Sequence, residues 1–194
     1  TDYSYRTRLW ITWEWKEYDL FIRTARERYD FRAAQNALDP GLNLYIFQYY
    51  QGLFDLKREG VAAAKERLAA IEKLRPASLP PAQVQTWTTG IEHLRAEILI
   101  SEGRPDEARL AFEKIRRPPV SILQPVTLVQ RSLPFIHDIS GRAYEIGGRK
   151  DLAISLYERL VSSDPVEREM ELLHPFSRLE LARLYESTGD RGKA

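Results

Sequence analysis

Residues 137–165 read HDISGRAYEIGGRKDLAISLYERLVSSDP: two apolar-periodic stretches divided by a Gly-Gly-Arg-Lys turn and stopped by Pro165. In the second stretch Leu152, Ala153, Leu156, Tyr157 and Leu160 share one face of a 3.6-residue period, which is the pattern of a half-buried helix. In the first, Gly141 presents no side chain, and twelve positions later Ala153 presents almost none. Two helices approach closely only where both faces are small, and Gly148 supplies the tight turn between them.

The same spacing recurs outward from this stretch. A small residue precedes an Ala by twelve positions at Gly52/Ala64, Ala96/Ala108, Gly141/Ala153 and Ala182/Ala194. The turn glycine follows seven positions after the small residue at Gly103, Gly148 and Gly189, with Gly60 displaced by one. A large apolar residue stands four beyond the Ala at Leu68, Phe112 and Tyr157, where it is expected to fill the gap to the neighbouring pair. Pro76 and Pro165 stop the second helix, with Pro119 one position early. The spacing and the prolines between the periodic runs imply an all-α chain, with helices near 8–29, 43–58, 61–74, 82–102, 105–116, 134–147, 150–162 and 176–188. In 61–74 the expected buried face is Val61, Ala64, Leu68, Ile71 and Leu74.

These offsets resemble the tetratricopeptide repeat, in which Trp, Leu-Gly, Tyr, Ala, Phe and Pro recur in helix–turn–helix units. The best copy, 137–165, carries Gly141, Tyr144, Ala153, Tyr157 and Pro165 in register, with His137 and Ser140 in place of the Trp and Leu. The copy from Arg178 carries Leu181, Ala182, Tyr185, Gly189 and Ala194. Two earlier copies are degraded, with Leu99 and Asp55 at the helix Tyr position. The resemblance implies an α-solenoid, a right-handed superhelix of antiparallel helix pairs, over residues 41–194, preceded by an aromatic-rich capping segment at 1–40. Successive small residues lie 44, 45 and 41 apart, against roughly 34 in a minimal repeat. The surplus falls in connections around 77–85, 118–134 and 166–174. The middle connection is apolar, with Val120, Ile122, Leu123, Val126, Leu128 and Val129, and is expected to fold back on the stack or to dock a partner.

Composition narrows the chemistry. The 194 residues carry 29 Lys+Arg against 28 Asp+Glu, a net charge of +1, which argues against electrostatic capture of nucleic acid or anionic membrane. There is no Cys, hence no disulfide, thiolate or Cys-ligated metal. No run approaches the roughly 20 apolar residues of a membrane helix, so a soluble protein of cytoplasm or periplasm is expected, the compartment itself staying open. His93, His137 and His174 lack metal spacing, and His137 and Asp138 point about 100° apart on a helix. The Gly192-Lys193 pair lacks the rest of a phosphate loop. Lys114, Arg116 and Arg117 complement a helix C-terminus. No enzyme activity, metal or cofactor is expected.

What remains is surface. The resemblance implies a concave groove lined by first helices, which here carry Tyr49 and Leu53; His93, Glu97 and Ile100; Asp138, Arg142 and Glu145; and Leu179, Arg183 and Glu186. Such grooves take a peptide or partner protein. Glu97 stands where a chaperone-binding clamp would place Asn, which disfavours a chaperone carboxylate. Arg142 and Arg183 occupy equivalent places, free to fork onto an acidic ligand or to pair locally with Glu145, Glu186 or other groove carboxylates. The alternative function is homo-oligomerisation, or a structural role in a larger bacterial multidomain protein of regulatory, kinase-associated or envelope type.

Two regions suit self-association. One is the end at Ala194, where a second helix is only beginning and Leu179, Leu181, Leu184 and Tyr185 are expected to lie partly uncovered. The other is the Trp10–Trp15 segment. Fourteen aromatics lie in the first 54 residues, out of 4 Trp, 10 Tyr and 7 Phe. On a single helix Trp10, Trp13, Leu20 and Phe21 would share a face, packing beneath the 43–58 helix as a cap or docking a second subunit or an adjacent domain.

Overall fold

A computed structural model describes residues 2–35, 39–76, 78–79, 81–115, 139–162, 173–190 and 192. Among the described residues all regular structure is helical: α1 (Asp2–Glu14), α2 (Tyr18–Ala34), α3 (Pro40–Arg58), α4 (Val61–Leu74), α5 (Pro81–Ser101), α6 (Pro105–Glu113), α7 (Ile139–Ile146), α8 (Lys150–Ser162) and α9 (Leu173–Thr188). No helix among these residues is long and apolar enough to cross a membrane. The apolar 118–134 connection, Arg116, Arg117 and His137 lie outside the described residues.

Local chemistry sets the helix ends. Asp39 caps α3, its carboxylate accepting the Leu42 N–H at 3.0 Å, and Pro40 fits the first turn, where no intrahelical N–H donor is needed. Lys57 and Arg58 close the same helix, facing its carbonyl end. Pro105 opens α6, followed by Asp106 and Glu107 at the positive end of the helix dipole. Lys114, at the C-cap of α6, reaches Glu92 on α5 at 3.4 Å.

Three of the turns that the sequence marks with glycine share one geometry. At Gly103, Gly148 and Gly189 the backbone turns left-handed, with φ of 72°, 74° and 84°. In each, the next residue's N–H reaches back five positions: Arg104 to Leu99, Arg149 to Tyr144, Asp190 to Tyr185. This satisfies carbonyls that the helix end would otherwise leave unpaired. Gly60 differs, serving as N-cap of α4.

The N-terminal region corrects the sequence reading. The single helix expected over 8–29 is two helices, broken at Trp15–Glu17. Lys16 adopts φ 60°, its N–H donates to Trp13 O at 3.0 Å, and the Glu17 N–H donates to Thr12 O at 2.8 Å. That is the same turn as at Gly103, Gly148 and Gly189, made with lysine. Seven residues before Lys16 stands Leu9 and five after it Phe21, both 0% exposed, with Ala25 at 2% a turn further on. The N-terminal pair therefore repeats the spacing of the later pairs with side-chain sizes inverted: large residues at the two close positions, a small one where Tyr157 stands in 137–165. The aromatic face drawn on one continuous helix does not exist. Trp13 is buried, Trp10 half-buried, and Trp15, beyond the end of α1, is 76% exposed.

One core joins the first five helices. It holds Leu9, Trp13, Phe21, Tyr45, Tyr49, Leu53, Leu68, Trp87 and Leu94, among others. Phe21 meets Tyr50 edge-on at 5.7 Å, and Tyr45 stacks on Trp87 at 3.9 Å. Smaller clusters follow along the chain, Ala96, Leu99, Ala108, Ala111 and Ile139 between α5, α6 and α7, then Ala153, Leu156, Tyr157, Leu160 and Leu184 between α8 and α9. Each helix packs on the next in sequence, with further contacts of α3 with α5 and α5 with α7.

At Gly141 the spacing reading is corrected: the neighbour over the missing side chain is Tyr157 of its own pair, which was expected to fill the gap to the next pair. A Cβ there would lie 2.7 Å from the Tyr157 ring, so Tyr157 of α8 fills the space over Gly141 of α7. Two face assignments are corrected. Leu74 and Leu152 are exposed, because each sits at the edge of its apolar arc while Ala64, Leu68 and Ile71, or Ala153, Leu156 and Leu160, take the centre. At the C-terminal end Leu184 and Tyr185 are buried, Leu181 is half-buried, and Leu179 is 67% exposed.

Candidate functional site

Tyr49 and Leu53 lie one turn apart on α3, His93 and Glu97 one turn apart on α5, and Arg142 on α7. The structure brings Tyr49, His93, Glu97 and Arg142 into one polar line. Tyr49 Oη lies 2.5 Å from His93 Nδ1, and His93 Nε2 lies 3.4 Å from Glu97 Oε1. Arg142 closes the line with a two-pronged fork, Nη1 donating to Glu97 Oε2 at 3.0 Å and Nη2 to Oε1 at 2.5 Å.

His93 Nε2 faces the Glu97 carboxylate, and in the neutral tautomer that carries its proton there Nδ1 accepts from the Tyr49 hydroxyl. Burial lowers the His93 pKa, against the opposing pull of Glu97. Burial would raise Glu97, but the Arg142 charge and the hydrogen bonds from His93 and Arg142 outweigh it and hold the carboxyl well below its ordinary value. Burial, with Tyr50, Tyr45 and Glu97 nearby, pushes the Tyr49 hydroxyl well up. A Tyr–His–Glu order is the order of an acid–base relay, but these side chains are 0%, 0% and 1% exposed. No substrate reaches them, so the line acts as a strut between α3, α5 and α7.

The expected open groove is thereby corrected over its first half. Tyr49, Leu53, His93 and Glu97 are buried, Tyr49 and Leu53 in the same core cluster as Trp13 and Phe21 of the N-terminal pair. Ile100 is half-buried beside Ala96 and Leu99. The second half is more open. Arg183 of α9 forks onto Glu145 of α7 at 2.8 and 2.6 Å and also takes Glu180. The hydrogen bonds from Arg183 are the main reason that the Glu145 carboxyl is lowered. Both equivalent arginines thus pair locally with a carboxylate of the preceding first helix. Leu179 and Glu186 are exposed, and Asp138 lies outside the described residues.

Where the line reaches the surface there is a cleft of about 160 Å³, lined by Trp13, Glu14, Lys16, Tyr18, Lys57, Arg142 and Phe176. Its walls come from the α1–α2 turn, the end of α3, α7 and α9. The Lys57 ammonium lies 5.4 Å from the Trp13 ring centroid, and Tyr18 meets Trp13 edge-on at 5.6 Å. Burial, with Glu97 and Glu14 nearby, raises the Tyr18 hydroxyl. No group of three or more His, Asp or Glu side chains among the described residues could hold a metal ion.

No family model, curated protein or solved structure matches this chain. Of the cleft residues Arg142 was singled out by sequence as a groove residue, and Trp13 and Glu14 fall in the Trp10–Trp15 segment marked for docking. Lys16, Lys57 and Phe176 were not singled out, and the early crowding of aromatics was the available signal.

Proposed function

We propose that the chain is a protein-interaction module of tetratricopeptide type, a solenoid of helix pairs that binds a partner protein or peptide and performs no chemistry itself. The observation that carries the reading is the repeated inter-pair fork: Arg142 and Arg183, at equivalent positions, each reach a carboxylate of the preceding first helix, Glu97 in one case and Glu145, about one turn further along its helix, in the other. With the repeated left-handed turns, this supports a stack of like units, whose joint surface is an interaction platform. The acid–base groups of the line are consumed by one another and buried, which supports a binding role over catalysis.

The open part of that platform is α7 and α9, with Leu179, Ile146, Arg183 and Glu186. The test is affinity capture with the intact chain, comparing wild type, Leu179→Asp, and the double swap Glu145→Arg/Arg183→Glu, which keeps the pair but inverts its polarity. A specific partner lost in both variants supports the reading. Equal capture by folded variants overturns it.

The exposure of Trp15 and Leu179 favours self-association as a second reading. Light scattering of Trp15→Ser and Leu179→Asp decides it. A wild-type oligomer that dissociates in either variant supports self-association, and a concentration-independent monomer removes it.

A further inference from the structure

We propose that the cleft between the α1–α2 turn, α3, α7 and α9 binds a carboxylate carried on a small apolar group. The proposal deepens the interaction reading, and rests on it only for the source of the carboxylate: an acidic segment of a partner, or a free small acid.

The charge balance in the cleft comes first. Arg142 is committed to the buried Glu97. Lys57 lies over the Trp13 ring, and neither Lys57 nor Lys16 makes an ion pair among the described residues. Among the described residues of the cleft wall Glu14 is the one carboxylate, set against Lys16 and Lys57. A pocket in that state attracts an anion. Trp13, Tyr18 and Phe176 supply apolar walls, which favour a carboxylate on a ring or short chain over a fully hydrated anion such as phosphate. The volume of about 160 Å³ suits a group of that size and is too small for a helix.

The second observation is independent of charge. At Gly103, Gly148 and Gly189 the left-handed position of the inter-helix turn is glycine, whereas the turn bordering this cleft places Lys16 there, at φ 60°. A side chain in that conformation is strained, and such strain is retained where the surroundings require it or where the side chain has a use. Among the described residues the Lys16 side chain makes no ion pair or hydrogen bond, and it lines the cleft, which leaves anion binding there as its use.

The test titrates the 194-residue chain, labelled with ¹⁵N at its Trp indoles, and follows the Trp13 resonance. The probes are phenylacetate, phenylacetamide, inorganic phosphate and an acetyl-Asp-Phe-amide peptide. At least one of the two organic carboxylates is expected to shift Trp13 saturably, with phenylacetamide and phosphate each about tenfold weaker or worse. Lys57→Gln is expected to weaken binding by about tenfold. Lys16→Gly is expected to weaken it while raising the melting midpoint, a pairing that a purely structural lysine would not produce. No saturable shift by either carboxylate, equal binding of the amide or of phosphate, or unchanged binding in both lysine variants overturns the proposal. Phenylacetate binding without the peptide supports a small-acid site while withdrawing this cleft from the interaction reading. Tighter binding of the peptide supports both.

Discussion

Replacing Arg142 with Met tests the strut between α5 and α7. Glu97 is 1% exposed and its carboxylate takes both prongs of the guanidinium, whose side chain is 29% exposed. Breaking a buried pair from one side costs about 3–5 kcal/mol. Partial exposure of the arginine end lowers this to about 2–3 kcal/mol, or about 4–12 °C in melting midpoint for a chain of this size. The pH dependence is the sharper signature. In the wild type the Glu97 pKa is held below its ordinary 4.5, so the pair contributes stability above that pH and loses it as pH falls. In Arg142→Met, burial acts without the guanidinium and the carboxyl pKa rises above 4.5. The penalty is then full near neutrality and relieved on acidification. The double variant Glu97→Gln/Arg142→Met removes the buried charge and should recover at least half of the loss, because a neutral amide costs far less to bury than an unpaired carboxylate. Urea unfolding of the three proteins and wild type at pH 7.5 and 5.5 gives the comparison. A loss below about 0.5 kcal/mol, or a loss that is independent of pH and unrelieved by Gln, would refute the strut.

Further outcomes follow from the same geometry. The lowered pKa of His93, against an ordinary 6.5, means that wild-type stability falls as pH drops below about 6.5 and before carboxylates titrate, since protonating this buried ring is easier in the unfolded chain. His93→Phe should flatten that part of the profile when thermal midpoints are measured between pH 7.5 and 5. Gly141→Ala places a methyl 2.7 Å from the Tyr157 ring, and the overpacking should outweigh the helix-propensity gain by about 1–2 kcal/mol in chemical unfolding. Trp15→Ser, at a position 76% exposed, should leave the midpoint within about 0.5 kcal/mol of wild type.

Much of the helical plan was legible because proline, glycine and the 3.6 period act locally. Pro105 announces the start of α6, and Gly103, Gly148 and Gly189 announce turns, whereas α3 begins at Pro40, three residues before the expected 43, because Asp39 caps it. The break at Lys16 was not legible, since lysine gives no signal for a left-handed residue and continues a helical pattern well. The N-terminal pair escaped the repeat search for a related reason. Its close positions are Leu9 and Phe21, and a rule requiring small residues passes over an inverted pair. Tyr49, Leu53, His93, Glu97 and Arg142 lie on helices, as their spacing suggests, but burial of Tyr49, Leu53, His93 and Glu97 depends on what lies across them. The i,i+4 pair of His93 and Glu97 was a local sign of a polar line. The arginine that completes it stands 45 residues away.

The neighbour-to-neighbour packing has a kinetic corollary. The aromatic core binds the first five helices together, while α8 and α9 share a cluster of five buried residues, joined to the rest through α7. Such a chain opens from its lightly anchored end, as a zipper does, and each opened pair exposes the next. Backbone amides of α8 and α9 should therefore exchange with deuterium fastest among the helices, and those of α3 and α5 last. Such an opening must break the two Arg–Glu forks as well as the packing of α7 on α6, so the polar line, besides bracing adjacent helices, adds to the barrier that an opening from α9 meets before it reaches the core.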